Sequence, residues 1–332
     1  MKIPPNYKLT KDILNRISLI EANRAIINSH NLPPLVEENI RRRSMFGSSL
    51  FSARIEGNRL TLADVSDIRD ISSKERQKVE VANILRAITG ILEKFENSKK
   101  ITAKDIFGWH KTVTNNLPYL GATGRWRIGH EGIFDRTGNV IYHAPPPLQI
   151  PLLIDNLLSF INSHQEQNVL IRAILAHLIF EKIHPFVDGS GRVGRLLQLA
   201  VLSTNGYAMK GFISVEEMID KKRTLYYSAI ENAKGSDTTE FVELMLEFLA
   251  QATDVAKEKV LADNQEDIDL LPLRRQEILR IIRDHQIITM NFLHRRFLQI
   301  DKRLLSYDLK QLTGLGFIKK IGRTRGAMYS AT

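Results

Sequence analysis

The stretch from Val169 to Ile183 constrains this chain more than any other, because it is apolar on nearly every side and only Arg172, His177, Glu181 and Lys182 interrupt it. A helix without a polar face cannot lie on a surface, so the segment predicts a helix enclosed by others. No apolar run in the chain approaches the length of a membrane span. The helix must end before Pro185, since the residue preceding a proline is pushed out of helical geometry. His184 is therefore expected at the helix exit. Helical spacing recurs at Ile13, Ile17 and Ile20, at Val79, Ile84 and Leu85, at Leu152, Leu153, Leu157 and Phe160, and at Phe241, Leu244, Met245 and Phe248. A mainly α bundle follows. The exception is Ile133 to Tyr142, two short apolar stretches around a polar turn containing Gly138, which predicts a β-hairpin stopped by Pro145, Pro146 and Pro147.

Charge divides the chain. From Pro272 to Thr332 there are thirteen Lys/Arg against four Asp/Glu, a net +9 out of +10 for all 332 residues. A basic terminal unit of this kind suits a polyanionic partner, while the near-neutral remainder calls for none. The polar, acidic run from Asp263 to Asp269 reads as the linker between the two. Cysteine is absent, which excludes disulfides, thiolate nucleophiles and cysteine-ligated zinc, and leads to the expectation of a reducing, cytoplasmic setting. The N-terminus carries Pro4, Pro5 and early charges, so neither a leader nor a membrane partner is expected.

The string His184-Pro185-Phe186-Val187-Asp188-Gly189-Ser190-Gly191-Arg192-Val193-Gly194-Arg195 holds the parts that nucleotidyl transfer needs. His184 at a helix end can take a proton from an incoming hydroxyl. Asp188 offers a hard oxygen ligand of the kind that holds Mg²⁺ together with substrate phosphates. Gly189 and Gly191 let backbone N–H groups converge on an anion where the next helix presents its positive end. Arg192 and Arg195 stand three apart on that helix, where both can grip phosphate oxygens. Taken singly, a histidine before proline is ordinarily a helix-end residue and an arginine pair a solvated face. Eight specified positions together arise by chance in a chain of this length with a probability on the order of 10⁻⁸.

The string closely resembles the signature of the Fic family, His-Pro-Phe-x-Asp-Gly-Asn-Gly-Arg-x-x-Arg. The resemblance implies a Fic-type helical bundle with a β-hairpin flap, in which ATP is the substrate and Mg²⁺ the cofactor. His184 would be the base that lets a Ser, Thr or Tyr hydroxyl of a protein attack the α-phosphorus. Asp188 would hold the metal, and Gly189, Ser190, Gly191, Arg192 and Arg195 the phosphates. Ser190 departs from the usual asparagine, being shorter and lacking the amide, which bears on rate and on the choice of nucleotide. Gly124-Arg125-Trp126-Arg127 followed by Tyr142-His143-Ala144-Pro145 is similar to the flap, with Ile141, Tyr142 and His143 pairing with an extended segment of the target. Tyr226 and Tyr227 resemble a pair placed near the adenine. Upstream, Ser52-x-x-x-Glu56-Gly57 resembles the inhibitory motif of family members with their own N-terminal inhibitory helix. That implies a Glu56–Arg195 pair which blocks productive ATP binding.

The resulting division is an N-terminal helical region with the inhibitory helix over 1–75, a catalytic core over 76–255, a linker over 256–271 and a terminal domain over 272–332. That last domain resembles a winged helix-turn-helix. Ile278, Ile281 and Ile282 mark a first helix, and Thr289 starts a short second one with Phe292, Leu293 and Phe297. Leu304, Leu305, Leu309 and Leu312 mark the third, and a hairpin around Gly322 to Gly326 forms a basic wing. Lys302, Arg303, Ser306, Tyr307 and Lys310, with Arg323 and Arg325 on the wing, would suit DNA. Open alternatives are a DNA-binding transcriptional regulator with a nucleotide-sensing core, removal of AMP rather than its transfer, transfer of another phosphate-linked group, self-modification, and a homodimer.

Overall fold

The computed structural model describes residues 2–61, 76–95, 100–118, 123–134, 140–163, 165–233, 237–262, 271–298, 300–322 and 326–332. Its first body comprises α1 (Lys11–Ser29), α2 (Pro34–Ile55), α3 (Arg76–Phe95), α4 (Ala103–Val113), β1 (Gly132–Phe134), β2 (Val140–His143), α5 (Ile150–Asn162), α6 (Val169–Ile183), α7 (Ser190–Ser203), α8 (Val215–Lys221), α9 (Arg223–Asn232) and α10 (Thr239–Leu261).

The apolar segment is α6, and every residue from Leu170 to Ile183 is buried. It begins where Asn168 accepts a hydrogen bond from the Ile171 N–H and runs between α5, α7 and α10. Each leucine or isoleucine that such a helix buries stabilises the fold by about 1.5–3 kcal/mol. Its buried arginine, Arg172, is anchored locally through its two Nη groups, which donate to the carbonyls of Ser163 and Glu166 and to the Asn205 side chain.

One apolar core runs from Ile13 on α1 to Val260 on α10. The expected divide between residues 75 and 76 therefore marks no gap in packing. α1 lies along α10, where Asn23 donates to Thr253 at 3.0 Å, and α2 packs on α3 and α8. The expected linker start at 256 also needs correction. α10 continues to Leu261 because Ala256 and Val260 still face the core. Among the described residues no helix is long and apolar enough to cross a membrane.

The strands β1 and β2 pair antiparallel, with Gly132 opposite His143 and Ile133 opposite Tyr142, and the register shifts between Ile133 and Phe134. The connecting turn, 135–139, lies outside the described residues.

The terminal body consists of α11 (Leu273–His285), β3 (Ile287–Thr289), α12 (Met290–Arg296), α13 (Lys302–Gly314), β4 (Ile318–Ile321) and β5 (Met328–Ala331) around a second core. Its sheet has the order β3-β5-β4, antiparallel throughout. The expected helices are present, and Thr289 caps α12 by accepting from the Phe292 N–H. Two details differ from expectation. β3 was not anticipated between the first two helices, and its three residues run exposed, buried, exposed. Leu304 is exposed, because on α13 the buried face is Leu305, Asp308, Leu309 and Leu312. The expected linker at 263–269 and Arg323 and Arg325 lie outside the described residues.

Candidate active site

The site grows from the junction of α6 and α7. His184 ends α6 in the left-handed region, with φ 46° and ψ 62°, while its N–H still donates to the Phe180 carbonyl at 2.9 Å. That unusual backbone is held by Arg127, itself buried. The arginine donates to the carbonyls of His184 at 2.7 Å and Ile183 at 3.3 Å, and also to Gly129 at 2.7 Å and Pro145 at 2.6 Å. One guanidinium thus joins the exit of α6 to the segments leading into and out of the strand pair. Burial lowers the His184 pKa, with Glu56 opposing the shift, so the imidazole is neutral near pH 7 and able to accept a proton.

A second histidine shapes the loop from beneath. The His110 ring stacks on Phe186 with centroids 3.7 Å apart and planes within 6°. Its Nδ1 accepts from the Gly124 N–H at 2.8 Å, which leaves Nε2 to donate to the Asp188 carbonyl at 3.1 Å. Burial pushes its pKa down to about 4, in keeping with that neutral tautomer. Gly189 then turns the chain at φ 86°, a conformation that side chains disfavour, and α7 starts at Ser190. The side chain of Asp188 is half exposed, and its Oδ1 accepts from Arg192 at 2.5 Å.

Arg195 lies one turn further along α7 and is almost wholly buried. Its Nε donates to the Ser52 hydroxyl at 2.9 Å, and its Nη2 donates to the Ser52 carbonyl at 3.0 Å and to Glu56 Oε1 at 2.9 Å. Burial alone would favour loss of the Arg195 proton, but the Glu56 carboxylate beside it holds the pKa above the ordinary value. Gly191 makes room for that carboxylate, since a Cβ there would fall 2.3 Å from Glu56 Oε1.

Residues 100–202 match the Fic/DOC family. The chain carries a Fic domain. It is 28% identical over 162 residues to a probable protein adenylyltransferase of Aquifex aeolicus, covering 42% of this chain and 51% of that protein. It is 27% identical over 259 residues to the protein adenylyltransferase Fic of Drosophila grimshawi, covering 75% and 49%. The chain thus spans about half the length of the curated relatives it matches. Among solved structures, a Fic family protein from Desulfovibrio desulfuricans superposes with a TM-score of 0.66 at 27% identity, covering 99% of this chain and 98% of that one.

Within the Fic domain most residues expected from the motif come together, with two changes of role. Ser190 does not point outward. Its hydroxyl donates to the Phe186 carbonyl and accepts from the Phe186 N–H, both at 3.0 Å, so it braces the loop from within. Tyr226 is closed off from solvent with its hydroxyl 2.7 Å from His177 Nε2, which makes it a core residue rather than a wall for a base. Tyr227 is nearer the surface, its hydroxyl 3.5 Å from the Ile55 carbonyl. Of the residues expected in a flap, Ile141, Tyr142 and His143 lie in β2, where His143 is exposed and the other two side chains lie outside the described residues.

Three residues of the site were not assigned a role from sequence, and a fourth, Arg127, was read only as part of the flap-like string. Arg127 and His110 have been described. Glu181 is buried beside Arg195, and burial raises its pKa to about 8. Glu80 on α3 accepts from Arg192 Nη1 at 2.7 Å. Besides Arg127 in its flap-like string, Glu181 gave a signal, as a lone acid inside the apolar helix.

Proposed function

We propose that this Fic domain transfers AMP from ATP to a Ser, Thr or Tyr hydroxyl of a protein, and that Glu56 holds the reaction in check. The observation that carries this reading is the Glu56–Arg195 pair beside a neutral His184, where α6 ends and the arginine-bearing first turns of α7 begin. In the forward step the hydroxyl oxygen bonds to the α-phosphorus as the bond to the bridging oxygen breaks, pyrophosphate leaves, and His184 takes the hydroxyl proton. The first N–H groups of α7 have no partner within the helix and, with Arg192 and Arg195, suit the polyphosphate. Asp188, a half-exposed carboxylate at the loop, fits a hard divalent ion shared with phosphate oxygens. Mg²⁺ bound there would neutralise charge on the leaving pyrophosphate.

A carboxylate on Arg195 takes both the charge and the space that a terminal phosphate needs, so basal transfer is low. Glu56→Gly should raise AMP incorporation from radiolabelled ATP into lysate proteins, or into the chain itself, by about tenfold or more. Adding His184→Ala should abolish it. Labelling that ignores both substitutions would sink the reading. The antiparallel pair β1–β2 supports recognition of an extended target segment by strand addition.

A second reading concerns the terminal body. Lys302, Arg303, Ser306, Tyr307 and Lys310 are all exposed on α13, and this body holds nearly all the excess positive charge. We infer that it acts as a winged helix that binds duplex DNA. Binding in gel shifts should weaken steeply between 50 and 200 mM salt. A midpoint indifferent to salt would count against it.

A further inference from the structure

Both arginines of the loop are held by acids from elsewhere in the fold. Glu56 of α2 holds Arg195, and Glu80 of α3 holds Arg192. Arg192 is in fact gripped on two edges, by Glu80 through Nη1 at 2.7 Å and by Asp188 through Nη2 at 2.5 Å. The two acids differ in freedom. The Asp188 side chain is 44% exposed and can turn toward a cation or water, whereas that of Glu80 is 16% exposed and faces an arginine that is only 4% exposed. Withdrawing Glu80 would leave a buried cation short of a partner.

The second oxygen of Glu80 is also engaged. Its Oε2 accepts from Asn58 Nδ2 at 2.9 Å. The same amide nitrogen donates to the Gln77 carbonyl at 3.0 Å, and Asn58 Oδ1 accepts from the Leu60 N–H at 3.0 Å. Asn58 follows Glu56 by two residues, just beyond Gly57, which turns the chain out of α2 at φ 99°. A polar path Asn58–Glu80–Arg192–Asp188 therefore runs alongside the Glu56–Arg195 pair. Only a carboxylate can serve at position 80, because each of its oxygens meets a donor. Glutamine would turn an NH₂ group toward one of them.

We propose that Glu80 is a positioning residue for polyphosphate binding. It pins the Nη1 edge of Arg192, so that the Nη2 edge is the one presented to a phosphate once Asp188 releases it. Through Asn58 it ties the placement of Arg192 to the segment that carries Glu56. The proposal rests on the nucleotide reading of the loop.

The test uses the full chain carrying Glu56→Gly. It measures the Kd of ADP and of a fluorescent ATP analogue without metal, and then KM and kcat for AMP transfer with Mg²⁺. Glu80→Gln should weaken nucleotide binding and raise KM for ATP by about tenfold while kcat stays within about threefold, and Asn58→Ala should act in the same direction. On an Arg192→Lys background Glu80→Gln should add less than about twofold, because its effect passes through that arginine. Unchanged Kd in Glu80→Gln, or an undiminished loss on the Arg192→Lys background, overturns the proposal and leaves the nucleotide reading standing. Failure of the Glu56→Gly parent to bind either nucleotide overturns both. Should Glu80→Gln melt below the assay temperature, Asn58→Ala decides, since it leaves the carboxylate in place.

Discussion

His184 and His110 lie on either side of one loop, and burial acts on both in the same direction. For His184 the lowered pKa means that the base stays free into mildly acidic solution, where an ordinary histidine of pKa 6.5 would already be protonated. For His110 the consequence is one of stability. Its folded pKa is about 4 against 6.5 for the unfolded chain, so between those values the unfolded state binds more protons. The stabilisation is full above pH 6.5 and is lost as pH falls through 4, with a slope of about 1.4 kcal/mol per pH unit for one proton. His177, buried and pushed down to about 3, contributes with the same sign. His110→Gln should therefore flatten the acid limb of a stability-versus-pH curve from urea unfolding by about one proton. An unchanged limb would show that protonating His110 does not oppose folding. Nothing around position 110 in the sequence marks this histidine, because its partners, Gly124 and the Asp188 carbonyl, are backbone atoms brought to it by packing.

Among the elements, α6 was the most legible, since an apolar surface on every side admits only burial. α13 was legible in part. The expected exposed face is exposed, but the spacing gave no sign that Asp308 is a core residue. It is almost wholly buried, receives Arg274 Nε, and receives Arg275 Nε at 2.9 Å. Both arginines belong to α11, so this acid joins the first and third helices of the terminal body. Removing the acid from such a pair leaves two cations with reduced compensation, at a cost of about 3–5 kcal/mol when fully buried. Because both arginines keep some contact with water, the lower end applies. Asp308→Ala should lower the melting of the terminal body, read by calorimetry, and leave the larger unfolding transition where it was. A shift of both together would show that the two bodies unfold as one.

At the scale of the molecule, that distinction follows from the two separate apolar cores, one from Ile13 to Val260 and the other from Leu271 to Tyr329. The charge step along the chain falls between these two cores, whereas no gap in packing marks the expected boundary near residue 75. α1 and α2 contribute to the same core as α6, so the helix bearing Glu56 is part of the body that it would restrain. The sequence by itself determined the chemistry of the loop from His184 to Arg195. Residues that close in the chain stay near one another where one helix hands over to the next, because the short connection leaves them little room to separate. Only the tertiary structure could decide which acids and cations stand against that loop. Arg127, His110, Glu80 and Glu56 reach it from 57, 78, 112 and 139 residues away in their respective pairings, distances over which spacing carries no geometric information. It also turned Ser190 inward and Tyr226 into the core, because packing rather than residue type selects which side of a helix end faces solvent.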